Sequence, residues 1–149
     1  MIFKIKYTIS FFFILIISGS ALSKEIIVSP DGENNSIKSA VNQSSDGDRI
    51  IIKKGLYKEN NIVIDKSIEI KGEDFPVIDL EFNNQGFTIT KDNVKISGLE
   101  MKNINVSYMA DLSAVKIDNC SYCEIEKNIL NDTFFEIYLA NSSHCLVKN

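Results

Sequence analysis

The hydrophobic pattern of this chain repeats in its last third, and the repeat has a fixed period. Residues 113–127 superimpose on residues 135–149 at an offset of 22, without a gap. β-Branched and turn-forming residues recur at the same places, and a period of this size is typical of a solenoid. Each unit has two short runs of alternating apolar residues separated by corners rich in Asn and Ser. The pattern predicts one coil of a parallel β-helix, with strand, corner and strand in each unit.

Short apolar runs of the same kind occupy the chain upstream of the repeat. Broad polar corners lie between them, and no Asn-Gly or Asp-Gly pair joins two runs into a tight hairpin. We therefore expect each strand to pair with its equivalent one coil along, ~4.8 Å away. A turn is predicted at residues 54–57. The predicted strands cover residues 24–28, 49–52, 62–64, 68–70, 77–78, 87–89 and 94–96.

A short amphipathic helix is predicted ahead of the coils, at about residues 36–42. Ser36 can cap its N-terminus. Because a β-helix exposes an edge of strands at its first coil, a helix laid across that coil would cover it. The coils are expected over about residues 48–149. The apolar face of the helix is formed by Ile37, Ala40 and Val41.

One coil is longer than the repeat. Ile89 and Ile117 take equivalent places but are 28 residues apart instead of 22. About six extra residues are therefore predicted to loop out within residues 103–112, and insertions in solenoids often make partner contacts. The alternative is a passive insertion, since surface loops tolerate extra length cheaply. The partner-contact candidates are Tyr108, Met109 and Asp111.

Residues 1–23 have the features of a cleavable export signal. Lys4 and Lys6 precede an apolar run at residues 9–17, and a small-residue cleavage region follows. The run is short for a membrane span, and a retained anchor is the alternative. Without these residues the chain carries 14 basic and 20 acidic residues, net −6, because the segment holds two lysines and no acid. Such a charge disfavours nucleic-acid binding through a basic surface.

The remaining residues, 24–149, are expected to form one β-helix domain. The chain stops within a coil at residues 146–149, without a polar cap or closing helix. A terminal coil of this kind leaves an apolar edge open. We therefore expect the N-terminal part of a longer solenoid, open at its C-terminal end. A partner that covers that end is the alternative.

The three cysteines, Cys120, Cys123 and Cys145, all lie in the repeat. An odd number leaves at least one thiol unpaired in a monomer. Cys123 and Cys145 take the same place in successive coils, which favours a buried column of small thiols. A disulfide and a metal site are the alternatives. Cys123, Cys145 and His144 form a weak candidate set for copper as Cu(I), although adjacent residues of a strand point to opposite faces.

Carboxylates are numerous but are not paired at the repeat spacing. Asp46 with Asp48, and Asp79 with Glu81, lie at predicted corners, where solvated turn residues are expected. Acid–base catalysis needs two groups held in one cleft. Arg49 is the one arginine of the chain, so a site that needs several arginines has no place here. No catalytic residue is assigned from the sequence.

Several segments resemble the opening of exported right-handed parallel β-helix proteins with PbH1-type repeats. More narrowly, residues 74–79, 92–98 and 134–139 (Phe-Phe-Glu-Ile-Tyr-Leu) resemble NosD, the nitrous oxide reductase maturation protein. The resemblance runs from about Glu25 to Asn149. The more widely shared segments are residues 36–41, 47–52, 55–59 and 66–73.

The resemblance implies an all-β, right-handed solenoid and a periplasmic accessory protein that is not an enzyme. NosD-type proteins act with an ABC transporter, its permease and its ATPase, and with other maturation factors, in assembling the copper–sulfur centre of nitrous oxide reductase. Membrane association would then be through partners. The family is considerably longer, and Glu136 stands where glycine is expected. No copper-ligand motif of the family maps onto this sequence, so no cofactor is assigned.

A carbohydrate-active β-helix enzyme is the competing interpretation. Residues 55–60 also resemble the start of pectin methylesterases, and pectate lyases share the coil. Such enzymes use arginine with aspartates on later coils, and the lyases bind Ca²⁺ through carboxylates. This sequence has one arginine and no stacked acidic cluster. A third interpretation is a non-catalytic surface-binding solenoid.

Overall fold

The structure, a computed structural model, describes residues 22–82, 85–105, 112–131 and 136–148. Over these residues the chain is a parallel β-solenoid of about five turns with one short helix, which confirms the predicted all-β fold class. The helix is α1 (Ile37–Gln43). The strands are β1 (Glu25–Val28), β2 (Arg49–Ile52), β3 (Leu56–Lys58), β4 (Ile62–Ile64), β5 (Glu69–Gly72), β6 (Val77–Asp79), β7 (Phe87–Ile89), β8 (Lys95–Ser97), β9 (Glu100–Lys102), β10 (Val115–Asp118), β11 (Glu124–Glu126), β12 (Ile129–Leu130), β13 (Ile137–Ala140) and β14 (Leu146–Lys148).

Each complete coil contributes one strand to each of three parallel sheets, so the coil has three strands where the sequence predicts two. In spatial order, sheet A is β1-β2-β5-β8-β11-β14, sheet B is β3-β6-β9-β12 and sheet C is β4-β7-β10-β13. The predicted turn at residues 54–57 is wrong in part, because Leu56 and Tyr57 belong to β3. In sheet B, the strand predicted at residues 77–78 is confirmed as β6. The other three strands escape recognition since each is two or three residues long and turns at most one side chain inward, too few for a visible alternation.

The strand register confirms both spacings seen in the sequence. Val115 pairs with Ile137, 22 residues on, and Ile89 pairs with Ile117 across the predicted 28. Elsewhere the spacing of paired residues varies, from 20 between Arg49 and Glu69 to 29 between Glu100 and Ile129. Corners therefore change length while the strands stay in register, because each strand must keep its apolar side chains inward.

The predicted helix is confirmed as α1, which lies against β1, β2 and β4. Ser36 caps it by accepting a hydrogen bond from the Ser39 amide at 3.1 Å. Its buried side chains are Ile37, Ala40 and Val41, as the periodicity predicts. Among the described residues, no helix is both long and apolar enough to cross a membrane. The predicted signal segment lies almost wholly outside the described residues.

Inward side chains fill the solenoid, and isoleucine is the commonest among the largest fully buried ones. The first coils bury these side chains completely, whereas the last described coil does not. Leu139 of β13 is 45% exposed and Val147 of β14 is 47% exposed. The same inward direction therefore leads to different burial at the two ends.

Candidate functional site

The cysteines meet at one corner of the solenoid, here called the cysteine corner (residues 119–123 and 141–145). It joins sheet C to sheet A in the last two described coils. The Leu146 amide donates to the Cys123 carbonyl at 2.8 Å, and the Ser143 amide donates to the Cys120 carbonyl at 3.1 Å. These bonds place Cys145 directly beside Cys123 in the next coil.

Cys120 makes a hydrogen bond that a hydroxyl side chain makes in the two neighbouring coils. Its sulfur donates to the Ile89 carbonyl at 3.4 Å and to the carbonyl two residues before it at 2.9 Å. Thr90 makes the equivalent hydrogen bond in the preceding coil, to Ile64 at 3.3 Å, and Ser142 makes it in the following coil, to Ile117 at 3.2 Å. Cys120 is therefore part of a structural column of short donors, separate from the Cys123–Cys145 column.

Burial raises the pKa of two of the three cysteine thiols. Cys123 is fully buried and Cys120 nearly so, while Cys145 is partly exposed and packs against the same core. Burial, with smaller effects of the neighbouring Cys145 and Cys120 thiols, raises the pKa of Cys123 to about 11. Burial also raises the pKa of Cys120. A column of core thiols, which the sequence favours, is what the described corner contains.

His144 points away from the core and stacks on the ring of Tyr122. The ring centroids are 5.1 Å apart and the ring planes make an angle of 22°. Both residues have a left-handed backbone, with φ of 60° at Tyr122 and 54° at His144, which turns their side chains out of the corner. Ser143 lies 3.1 Å from the histidine Nδ1. The stack is exposed, with Tyr122 at 59%.

The weak copper candidates are thus brought together only in part. Cys123 and Cys145 share the inner side of the corner, whereas His144 lies outside on the aromatic stack. Among the described residues, no group of three or more His, Cys, Asp and Glu side chains is arranged to hold a metal ion. The arrangement is that of packed thiols beside a surface aromatic pair.

The partner-contact candidates Tyr108, Met109 and Asp111 lie outside the described residues. The structure does describe the base of that predicted loop, and Gln85 fixes it. The Gln85 amide nitrogen donates to the Ser113 carbonyl at 2.7 Å, and its oxygen accepts from the Ser113 amide at 3.2 Å. Ser113 is fully buried. Sequence reasoning missed Gln85, because a glutamine in a polar corner carries no periodic signal.

The carboxylates considered as acid–base pairs are held by structural hydrogen bonds. Asp48 is buried and accepts from the Lys24 and Ser45 amides at 2.8 Å each, so the expected solvated turn is wrong for this residue. The same hydrogen bonds lower the pKa of Asp48. Asp79 accepts from the Asn103 side-chain amide at 2.8 Å, which lowers the pKa of Asp79.

Opposite charges alternate along the outer face of sheet A. The strand register places Arg49, Glu69, Lys95 and Glu124 in one row, one residue to a coil. Surface ion pairs of this kind contribute little individually, but like charges in register would repel. The ion pairs are Arg49–Glu69 at 2.8 Å, Lys95–Glu124 at 2.7 Å, Lys95–Glu126 at 3.3 Å and Lys148–Glu126 at 3.2 Å.

Glu59 ties the helix to the first complete coil. Its carboxylate accepts from the Ile37 amide at 2.7 Å, from the Lys38 amide at 2.9 Å and from the Ser36 hydroxyl at 3.0 Å. These amides are the unsatisfied donors of the first helical turn, and an anion there is favourable. Sequence reasoning missed this role, because Glu59 lies 21 to 23 residues after its partners and no local pattern links them.

In comparisons with known proteins, no family model, no curated protein and no solved structure matches the chain.

Proposed function

We propose that the chain is a NosD-type accessory protein of the periplasm, a scaffold for maturation of the copper–sulfur centre of nitrous oxide reductase. It acts with the permease and ATPase of an ABC transporter and with other maturation factors. It reaches the membrane through these partners and catalyses no reaction itself. The solenoid is the part of this proposal that the fold supports, and the assignment to NosD depends on the sequence resemblance.

The observation that carries the proposal concerns residues 92–98, one of the segments that resemble NosD. Residues at both ends of this segment have a structural role in the coil. The Asp92 side chain accepts from the Ser121 amide at 2.8 Å, and its carbonyl accepts from the Ser67 hydroxyl at 2.8 Å. Asp92 therefore joins three successive coils at one corner. This role explains an aspartate at the start of the segment.

The glycine at the end of the segment also has a structural role. Gly98 has a left-handed backbone with φ of 70°, and a Cβ added to it would lie 2.7 Å from the Gly72 carbonyl oxygen. The two coils approach too closely for a side chain. The resembling residues thus set the coil geometry on which a NosD-type surface would be built.

Ion pairing along the outer face of sheet A favours a scaffold over the lyase or esterase interpretation. Arg49, the residue such an enzyme would need near aspartates, is on the exposed face of β2 and pairs with Glu69. The carboxylates of this face pair with basic side chains in the neighbouring coils instead of converging on one cleft.

Complementation tests the proposal. The full chain is expressed in a bacterium that makes nitrous oxide reductase but lacks its own NosD, and the purified reductase is examined for its copper–sulfur absorption. We expect partial restoration, with the transporter permease co-purifying, and no restoration by a matched variant lacking residues 1–23. A stable exported chain that restores nothing would contradict the proposal. Cleavage of polygalacturonate by the purified chain would support the lyase interpretation instead.

A further inference from the structure

The stacked cysteines of the cysteine corner form a site that the proposed function does not use. We propose that Cys123 and Cys145 are the partners of a disulfide that joins the last two described coils, and that Cys120 remains a thiol. The inference concerns the chain's own side chains and does not depend on the proposed function.

Register brings the two residues within disulfide reach. The bridge between Ser121 and Ser143 precedes them, and the pairing of Glu124 with Leu146 follows them. Neighbouring parallel strands lie about 4.8 Å apart. Disulfides join residues whose Cα atoms are about 4.4–6.8 Å apart. Both side chains belong to the core side of the corner, so their Cβ atoms leave the backbone in the same direction, about one strand spacing apart. A small tilt of the two residues towards each other would bring the Cβ atoms into the range of about 3.5–4.5 Å that a disulfide needs.

The hydrogen bonds of Cys120 separate it from this pair, although Cys120-x-x-Cys123 is a familiar redox spacing. Its sulfur points to the Ile89 carbonyl, in the column that continues into Thr90 and Ser142. A bond from Cys120 to Cys123 would remove this donor, whose contacts of 2.9 and 3.4 Å are shorter than the 3.6 Å contact of the Cys123 sulfur with the Lys91 carbonyl. Pairing within one corner would also join residues that the backbone already holds together, and would add no covalent link between the last coil and the one before it.

Exposure sets the order of the chemical steps. The Cys145 thiolate, which solvent reaches, attacks an external disulfide such as glutathione disulfide, forming a mixed disulfide and releasing one glutathione thiolate. The Cys123 thiolate then attacks the Cys145 sulfur and displaces the second glutathione. Two protein thiols are oxidised, one external disulfide is reduced to two thiols, and the two protons pass to the released thiolates and solvent.

The second step is expected to be slow at neutral pH. The pKa of Cys123 is raised to about 11 by burial, so few molecules carry its thiolate at pH 7. Below that pKa the closure rate should rise by roughly tenfold per pH unit, as the thiolate fraction does. Closure fastens β14, whose three residues are all exposed, to the better buried β11.

The test uses the full chain, reduced, then oxidised with glutathione disulfide and alkylated after unfolding. Chymotrypsin cuts after Tyr122 and so separates Cys120 from Cys123 for mass spectrometry. We expect a Cys123–Cys145 cross-link, alkylated Cys120 and a mass lower by two hydrogens before alkylation. Cys120→Ser should form the same cross-link, and reduction should lower its melting temperature by about 10 °C, from loop-closure entropy and the size of the chain.

Cys145→Ser, at the partly exposed position, is the matched variant and should form no internal disulfide. A Cys120–Cys123 cross-link, either in the unaltered chain or in this variant, would overturn the proposal. So would three alkylated cysteines, or stable glutathione adducts without closure, in the unaltered chain at pH 9. A cross-link in Cys120→Ser that leaves the melting temperature unchanged would contradict the fastening of β14.

Discussion

The first and last described coils share one strand plan, but they bury their inward side chains to different degrees. In one column of sheet C, Ile64 and Ile89 are fully buried while Leu139 is 45% exposed. On the N-terminal side α1 lies across β1, β2 and β4. Over β13, no described residue forms an equivalent layer. Strand register thus sets the direction of a side chain, whereas burial requires a covering layer as well.

Helix α1, which covers the first coils, is held by the Glu59 side chain as well as by apolar contacts. Glu59 receives three hydrogen bonds at the start of α1. A helix of seven residues is too short to be stable on its own, so its position must come from these bonds and from its buried face. The contrast between the two ends therefore depends on both packing and capping.

The largest expected effect comes from truncating two side chains of one column, one in a covered coil and one in the last described coil. Ile89→Ala removes a fully buried side chain and should cost about 2–5 kcal/mol in the free energy of unfolding. Leu139→Ala, at the equivalent place two coils on, should cost about 1 kcal/mol or less, since the leucine is already half in water. Urea unfolding of the reduced proteins, followed by circular dichroism, measures both. Equal losses would show that the last coil is covered after all.

A smaller effect is expected from releasing the helix. Glu59→Ala should cost about 1–2 kcal/mol, because the first helical turn loses its carboxylate partner. Glu33→Ala, at an exposed glutamate just before the helix, is the control and should change stability by less than about 0.5 kcal/mol. Urea unfolding gives the size, and amide exchange in α1 gives the location. Unchanged amide exchange in α1 would show that Glu59 does not hold the helix in place.

The smallest effect belongs to the charged face near the last coil. Hydrogen bonds from Lys148 and then Lys95 lower the pKa of Glu126. A lowered pKa gives stability that is present above the unfolded-state value and is lost as the pH falls through the folded-state value. Glu126→Gln should therefore be slightly less stable than the unaltered chain at pH 7. This difference should shrink below about pH 4 and in high salt.

Melting temperatures measured between pH 3 and 7 test that statement, with Glu33→Gln as the matched exposed control. A difference between Glu126→Gln and the unaltered chain that stays constant over the whole range would contradict it. Ionisation of Glu126 would then contribute nothing to holding β14 on β11.

Periodicity carried most of the fold, and the parts it missed have physical reasons. The repeat predicted the pairing of Val115 with Ile137 and the long spacing from Ile89 to Ile117, because apolar residues must recur wherever strands stack. Sheet B was missed apart from β6, since a strand with one inward residue, such as Tyr57 in β3, has no alternation. The hydrophobic pattern therefore predicts which side chains of a strand point inward. It does not predict the route of the chain between strands.

The candidate site was predictable only in its core members. Cys123 and Cys145 follow from the repeat, since equivalent places in successive coils are neighbours. The outward stack of His144 on Tyr122 depends on a left-handed backbone at both residues. Neither residue type predicts that conformation. Asp48 looked like a solvated turn residue, because its two amide donors come from Lys24 and Ser45 on different segments.

Hydrogen exchange along the chain tests the contrast between the two ends most directly. Mass spectrometry of the reduced full chain would compare amide protection in β2, β4 and β7 with that in β13 and β14. The account predicts slow exchange in the first group and clearly faster exchange in the second, with α1 closer to the first. Equal protection of β7 and β13 would contradict it, because two strands of one sheet would then be equally well covered.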